Sequence, residues 1–286
     1  MQLRIFAATY RGGRPANDDN FRASDGCPFI PPNIPSFYYE AAEPLRSTKL
    51  FAVADGCGGM AYGHLASFQA MQEVGRYAAR FPPSADPDAV PDWLRGCMEA
   101  AAQAADTLNR DLKSFIGDSR ACTTLSLAVI TADGSVFTAN IGDSPVFLQH
   151  GNSFEQLTIL DNHYEAARSA GFSAAPAMRH RLTRCLGMEP AAAGAEGFHL
   201  CRHNTLDEGD TLFLCSDGVT DAFTPDALPL ALRIYGLDQL VRQAGGQTVR
   251  PFWRRSGCPA DNCTAVLIKA EPYQEQETEK AEREES

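Results

Sequence analysis

Apolar residues along the chain fall into short segments typical of strands and into longer segments with a helical period. Residues 50–54 form an unbroken apolar run, which predicts a strand buried on both faces. Further strands are predicted at residues 3–9, 123–130, 136–140, 146–149, 197–202, 211–215 and 265–269. In residues 65–81 and 94–115, apolar side chains recur every three or four positions, which predicts two amphipathic helices. Prolines within residues 82–91 separate these helices, and two short helices are expected within residues 224–245.

The predicted strands and helices are grouped in blocks and do not alternate one by one. This grouping favours an α+β fold, with two stacked, mainly antiparallel sheets and helices outside them, over a doubly wound parallel sheet. Turns at Asp133-Gly134 and Gly142-Asp143 predict that the strands between residues 123 and 149 form a meander. Residues 22–48, rich in proline and serine, are expected to form an extended loop or insertion. Since we find no internal repeat or sharp linker, residues 1–270 are predicted to form one domain.

Composition and charge exclude several classes of protein. The chain has 286 residues, of which 44% are apolar and 21% charged, and its net charge is −11. It has no stripe of Lys and Arg such as nucleic-acid binding requires, and no apolar run of about 18 residues that could span a membrane. The segment 271–286 contains seven Glu against one Lys and one Arg. We expect this segment to be a disordered, acidic tail.

The nine cysteines are scattered singly, without a Cys-x-x-Cys pair. Paired spacings would be needed for a zinc ribbon or a disulfide framework. Reduced, mostly buried thiols are therefore expected, as in a cytoplasmic protein. The first residues contain no apolar core of signal-peptide length.

Several aspartates stand at the ends of apolar strands, each beside Gly or Asn: Asp18, Asp19, Asp55, Asp143, Asp217 and Asp261. A single Asp-Gly pair is a common turn, and the Asp143 carboxylate has the alternative role of tying down a hairpin. Together, however, these residues predict a cluster. Two carboxylates about 6 Å apart repel by roughly 3 kcal/mol at an effective dielectric of 20, so a cluster persists only with cations or added protons. All-oxygen ligands favour Mg²⁺ or Mn²⁺ over zinc.

The chain also carries a series of short motifs in a fixed order. They are Arg-x-x-Asn-acid-Asp at 14–19, Asp-Gly-x-Gly-Gly at 55–59, Gly-x-x-Ala-Ser at 63–67, Thr-Thr-Leu at 123–125, Gly-Asp-Ser at 142–144, Thr-Arg-x-Leu-Gly at 183–187, Ser-Asp-Gly at 216–218 and Asp-Asn at 261–262. Over roughly residues 1–270 this order resembles the metal-dependent protein serine/threonine phosphatases of type 2C, especially their compact bacterial members.

The resemblance implies a four-layer α/β/β/α sandwich and the hydrolysis of phosphoserine and phosphothreonine on proteins. It implies in-line attack by a water that two divalent ions, Mn²⁺ or Mg²⁺, activate, with a third ion as a further option. A member that has lost catalysis and only binds phosphoproteins is the alternative. The implied partners are phosphorylated proteins and a Ser/Thr kinase pathway. A monomer is expected, without nucleic-acid or membrane partners.

The same resemblance implies roles for individual residues. Asp55 corresponds to the ligand shared by both ions, and Asp217 and Asp261 to ligands of the first ion. The Gly56 carbonyl and Asp18 correspond to ligands of the second ion.

Asp18 stands where the family usually has Glu, and its shorter side chain is expected to reach the ion through water. Arg14 corresponds to the residue that grips the phosphate, and Asp19 to an outer-sphere carboxylate. Asp118 lies near the position of a third-ion ligand, with an ordinary loop acid as the alternative. Cys57 stands where some members have a His that acts as an acid; its expected role is packing, with a metal-bound water as the acid, and a role of Cys57 as the acid is the alternative. Residues 162–181 match the family's substrate flap.

Overall fold

The computed structural model describes residues 1–57, 61–81, 86–117, 119–188, 197–246 and 260–273. The strands are β1 Gln2–Tyr10, β2 Asp19–Arg22, β3 Ser36–Pro44, β4 Lys49–Asp55, β5 Leu125–Ile130, β6 Ser135–Ile141, β7 Val146–His150, β8 Ser153–Gln156, β9 His199–Thr205, β10 Thr211–Cys215 and β11 Cys263–Glu271. The helices are α1 Gly63–Arg80, α2 Val90–Ile116, α3 His163–Ser169, α4 Asp217–Ala222 and α5 Leu228–Gly245.

The strands form two antiparallel sheets. One sheet has the order β3-β1-β11-β10-β7-β8, and the other has the order β2-β4-β5-β6-β9. β1 and β11 are paired along their whole length, from Gln2 opposite Glu271 to Tyr10 opposite Cys263. Strands far apart in the chain therefore lie side by side at the centre of the first sheet.

Apolar side chains fill three layers. Leu3 and Ile5 of the first sheet pack with Phe51 and Val53 of the second, so one core lies between the sheets. Helices α1 and α2 cover the outer face of the second sheet. Helices α4 and α5 cover the outer face of the first. The predicted α/β/β/α sandwich is confirmed.

The two long helices occur where the apolar period predicted them. α2 begins at Val90, and Pro91 occupies its first turn, where the missing N–H costs nothing. It ends before Gly117, whose φ of 93° is open to glycine without strain. Phe115, which the period placed on the buried stripe, is 85% exposed in the last turn. α5 contains the non-helical residue Gly236, so the expectation of two helical pieces within 224–245 is confirmed.

The prediction of a loop over residues 22–48 is wrong in part, because it contains β3. This edge strand pairs with β1 from Ser36 opposite Tyr10 to Pro44 opposite Gln2. Phe37 and Tyr39 pack against the core between the sheets. The neighbouring prolines concealed this alternation in the sequence.

The meander prediction is correct for one turn and wrong for the next. β5 and β6 pair as neighbours, as the Asp133-Gly134 turn predicted. β7 pairs instead with β10, in the other sheet. The Gly142-Asp143 turn therefore carries the chain from one sheet to the other, and Gly142 has a φ of 97° there.

Four elements were not predicted: β2, β8, α3 and α4. Of the acidic tail 271–286, Glu271 ends β11, and residues 274–286 lie outside the described part of the chain. Among the helices that the structure describes, each is too short or too polar to pass through a bilayer.

Candidate metal centre

The aspartate-bearing loops meet at one end of the sandwich. In antiparallel sheets the end of one strand lies beside the start of its neighbour. One end of the first sheet therefore contains the end of β1, the end of β10 and the start of β11. The corresponding end of the other sheet contains Asp19 of β2, which is paired with Asp55 of β4. A cavity of about 520 Å³ opens there. Its lining includes Arg14, Asp55, Asp143, His180, Asp217 and Asp261.

Asp55 is held by its backbone at the end of β4. Its N–H donates to Thr124 Oγ1 at 3.0 Å, and its carbonyl accepts from the Thr124 N–H at 2.8 Å. Burial, together with the charges of Asp19, Asp217 and Asp261, raises the pKa of the Asp55 carboxyl well above its usual value. The fold thus fixes an acidic group where its ionised form is unfavourable without a cation.

Asp217 and Asp261 come from neighbouring strands of the first sheet. Asp217 begins α4 directly after β10, and Asp261 precedes β11. Asp261 Oδ2 accepts a hydrogen bond from Arg14 Nη2 at 2.5 Å, and its Oδ1 accepts from the Asn262 N–H at 2.9 Å. Burial and the Asp217 charge raise the pKa of Asp261, against the opposing effect of Arg14. Arg14, Asp217 and Asp261 are therefore brought together as the sequence predicted.

Asp19 lies behind the cavity wall. It is 3% exposed, and its Oδ2 accepts a hydrogen bond from Ser216 Oγ at 2.7 Å. Its Oδ1 is buried without a hydrogen-bond partner. Burial raises the pKa of Asp19 to about 7, with further contributions from Asp261 and Asp217. This position fits an orienting, outer-sphere carboxylate next to Asp55.

Asp18 and Gly56 adjoin the cavity but do not line it. Asp18 Oδ1 accepts from the His64 N–H at 2.9 Å, at the start of α1, and the Asp18 carbonyl accepts from the Gly56 N–H at 3.0 Å. A Cβ on Gly56 would stand 2.4 Å from the Gly63 carbonyl, so this close approach requires glycine. The Asp18 side chain is thus engaged by the first turn of α1. Its role as a ligand stays a prediction.

Three further residues shape the site, and none of them was assigned a ligand role from the sequence. Asp143 is 7% exposed and lines the cavity, and its charge adds to those that raise the pKa of Asp55. His180, at the end of the predicted flap, has its Nδ1 3.8 Å from Asp217 Oδ2 and 3.6 Å from Asp221 Oδ2. The nearby carboxylate of Asp217, together with that of Asp221, raises the pKa of His180 to about 9, against the opposing effect of burial.

The third of these residues is Asn262, which fixes the loop that carries Arg14 and Asp18. Its Nδ2 donates to the carbonyls of Arg11 and Ala16 at 2.7 and 2.9 Å, and its Oδ1 accepts from the Asp18 N–H at 2.9 Å. In the sequence, the Asp261-Asn262 motif was the signal that could have pointed to this role of Asn262. Asp118 lies outside the described residues.

The cavity wall fits a divalent metal ion. Of the lining residues that the structure describes, four are aspartates, and the cationic side chains are Arg14, Arg120 and His180. Buried carboxylates require cations, added protons or hydrogen bonds, and oxygen donors match hard ions such as Mn²⁺ and Mg²⁺. Burial first, and then the charges of neighbouring aspartates, raise the pKa of Asp55 and of Asp143, whereas His180 and Arg14 help to lower the pKa of Asp217.

The family model described as Protein phosphatase 2C matches residues 40–241. A serine/threonine phosphatase, stp, of Listeria welshimeri is 30% identical over 179 residues, which are 59% of this chain and 66% of that protein. This match therefore spans slightly less than two thirds of the relative's length. Protein phosphatase PhpP of Streptococcus pneumoniae is 27% identical over 234 residues, or 77% of this chain and 85% of that protein.

Solved structures match the fold over nearly the whole chain. The Mycobacterium tuberculosis serine/threonine phosphatase PstP aligns with a TM-score of 0.67 and 22% identity, covering 95% of this chain and 100% of that one. A structure of the PstP catalytic domain is in complex with 2 manganese ions.

Proposed function

This chain belongs to the protein phosphatase 2C family, and from its site we propose that it is a metal-dependent protein serine/threonine phosphatase. One observation carries the proposal. Three aspartates from separate loops, Asp55, Asp217 and Asp261, line one cavity together with Arg14. A cavity with hard-metal ligands on its wall and a guanidinium at its edge suits a phosphate monoester.

We propose that Asp55 is shared by two divalent ions. Asp217 and Asp261 complete the first ion's protein ligands, and the Gly56 carbonyl serves the second, with Asp18 acting through water. Mn²⁺ or Mg²⁺ is the proposed metal, with Asp118 as a ligand of a third ion. When bound, such ions acidify water for in-line attack and neutralise charge on the phosphoryl oxygens.

Arg14 is the proposed phosphate ligand. Its guanidinium is permanently charged and forked, which matches two phosphoryl oxygens. The Nη2 group donates to Asp261, and Nε is buried without a hydrogen-bond partner. Arg14 thus retains unused donor capacity for substrate. Because Asn262 holds the backbone on both sides of Arg14, the guanidinium is positioned before substrate arrives.

Asp19 and Ser216 are proposed to position the ligands. The Asp19 carboxylate is fixed by Ser216, whose Oγ also accepts from the Thr264 N–H at 3.0 Å. Asp19 stands opposite Asp55 in the β2–β4 pair, so it adds negative charge near Asp55 when the metal is absent. A cation entering the cavity is thereby favoured.

Phosphorylated proteins are the proposed substrates, with a Ser/Thr kinase supplying them. We further propose that the protein is monomeric and cytoplasmic. The free thiols of the described cysteines support a reducing compartment such as the cytoplasm.

The test compares hydrolysis of phosphoserine, phosphothreonine and phosphotyrosine peptides with Mn²⁺, with Mg²⁺ and with chelator. We expect the first two peptides to be hydrolysed only when metal is present. Loss of a residue that only supports a metal ligand lowers activity by up to about 100-fold. Because Asp55 is proposed to bind the metal directly, Asp55→Asn should lower the rate at least about 100-fold. Asp88→Asn, which changes an exposed ion pair with Arg202, is the matched control and should retain the rate. Equal rates with metal and with chelator, or metal binding without turnover of any peptide, would contradict the proposal.

A further inference from the structure

A second group of metal-ligand atoms lines the same cavity. The thiols of Cys57, Cys122 and Cys185 lie within 4.8 Å of one another. Cys57 Sγ is 3.7 Å from Cys185 Sγ, and all three residues contribute to the cavity wall. Each of the three is a free cysteine. The proposed phosphatase chemistry uses none of them.

Backbone pairing holds the three thiols in place. Gly56 pairs with Thr123, and Thr123 pairs with Leu186, so three short segments lie side by side. The Cys57 N–H donates to the Cys122 carbonyl at 2.9 Å, and the Leu186 N–H donates to the Thr123 carbonyl at 2.9 Å. The sulfur atoms therefore converge because the main chain fixes their positions. A ligand that used them would need little reorganisation of the protein.

The spacing of the sulfur atoms suits a thiolate-bound metal. Four-coordinate zinc binds sulfur at about 2.3 Å, which places two sulfur atoms of a tetrahedral site about 3.8 Å apart. The 3.7 Å between Cys57 and Cys185 is close to this value. We propose that Cys57, Cys122 and Cys185 form a site for a soft metal ion such as Zn²⁺, with its fourth position open to the cavity.

Ligand chemistry separates this site from the carboxylate centre. Thiolates prefer soft ions such as Zn²⁺ and Cu⁺, whereas the aspartates prefer Mg²⁺ or Mn²⁺. Buried cysteines can also pack simply as small apolar residues. Packing alone does not require three thiols to converge on one point at the edge of a cavity. The convergence, and not the burial, indicates a ligand.

An ion at the thiol site would share the cavity with the phosphate group of a substrate. We therefore expect soft ions to slow phosphopeptide hydrolysis. This consequence rests on the proposed function, whereas the site itself does not. Measuring binding and hydrolysis separately distinguishes a failure of one from a failure of the other.

The binding test titrates the reduced, full-length protein with Cd²⁺ in excess Mg²⁺, which keeps the carboxylates occupied. Thiolate-to-cadmium charge-transfer absorption in the ultraviolet should rise to one equivalent. Cys57→Ser, Cys122→Ser and Cys185→Ser should each weaken Cd²⁺ binding at least about tenfold. Cys201→Ser, in β9 and outside the cluster, should retain full binding, and so should Asp55→Asn. A missing absorption band, or a band equally strong in the three cluster variants, would overturn the site.

A second measurement needs no variant. Native protein is alkylated with and without one equivalent of Cd²⁺, and the modified cysteines are identified by mass spectrometry. Protection confined to Cys57, Cys122 and Cys185 supports the site, and unchanged alkylation of all three overturns it. Hydrolysis assayed on the same samples should slow with Cd²⁺ and recover with chelator. Binding without slower hydrolysis would overturn the inhibitory effect.

Discussion

The space between the two sheets and the acid-lined cavity at the end of the sandwich contain opposite chemistry: the first is fully buried and apolar, and the second is partly buried and acidic. Between the sheets, Leu3, Ile5, Phe51 and Leu214 belong to one continuous apolar cluster. At the end, carboxylates from both sheets crowd around Asp55. Removing apolar surface from water stabilises the fold, whereas burying unpaired carboxylates opposes it.

The contrast separates two tasks of one domain. The apolar layer stabilises the sandwich whether or not a ligand is present. The acidic end lowers the stability of the metal-free protein and becomes favourable only when a cation enters. Changes between the sheets should therefore alter stability alone, and changes at the end should alter the response to metal.

The largest expected effect is on the apolar layer. Phe51→Ala removes a fully buried ring from between the sheets, and we expect the free energy of unfolding to fall by about 3–5 kcal/mol. Denaturant unfolding with and without Mn²⁺ measures the free energy of unfolding. The increase in this free energy that Mn²⁺ produces should be the same in Phe51→Ala as in the parent. Phe115→Ala, at a side chain that is 85% exposed, is the control and should change little. If Phe51→Ala abolished the Mn²⁺ effect, the two regions would be coupled.

An intermediate effect of the opposite sign is expected at the acidic end. Asp55→Asn removes a carboxylate that faces several others, and like charges about 6 Å apart repel by roughly 3 kcal/mol at an effective dielectric of 20. We expect the metal-free variant to be about 1–3 kcal/mol more stable than the parent at pH 8. Mn²⁺ should no longer raise its melting temperature. A less stable metal-free variant would show that Asp55 stabilises the fold through its own contacts.

Local pattern was enough to predict the elements with a regular period and no competing signal. The strand β10 and the helices α1 and α2 fall into this group. The position of β7 could not be predicted, because membership of a sheet depends on pairing with β10, more than sixty residues away. The local sequence around Gly142 is equally compatible with a hairpin and with a crossing between sheets.

The site shows the same division. Asp55, Asp217 and Asp261 each follow or precede an apolar strand, so antiparallel pairing made their convergence predictable. His180 lies in a segment without a period, and its role depends on Asp217 and Asp221 beside it. Asp18 was predicted to face a metal, but the free N–H groups at the start of α1 compete for its carboxylate. Only tertiary neighbours decide such competition.

The smallest expected effect is the pH dependence of the metal-free protein. Burial raises the pKa of Asp19 from 3.8 in the unfolded chain to about 7 in the fold. A raised pKa means that the folded state binds more protons, so the contribution is complete below pH 3.8 and is lost as the pH rises through 7. With chelator, the free energy of unfolding should therefore fall by about 1 kcal/mol between pH 6 and pH 7.

Urea unfolding at these two pH values, with chelator and with Mn²⁺, tests this dependence. Mn²⁺ should flatten it, because bound cations favour ionised carboxylates over protonated ones. His150, exposed beside Asp210, also has a raised pKa and loses its stabilisation in the same direction. His150→Gln measures how much of the pH dependence comes from His150. Asp19→Asn should remove the larger part of the pH dependence. If the slope persisted in Asp19→Asn and vanished in His150→Gln, the surface pair and not the buried acids would govern the pH response.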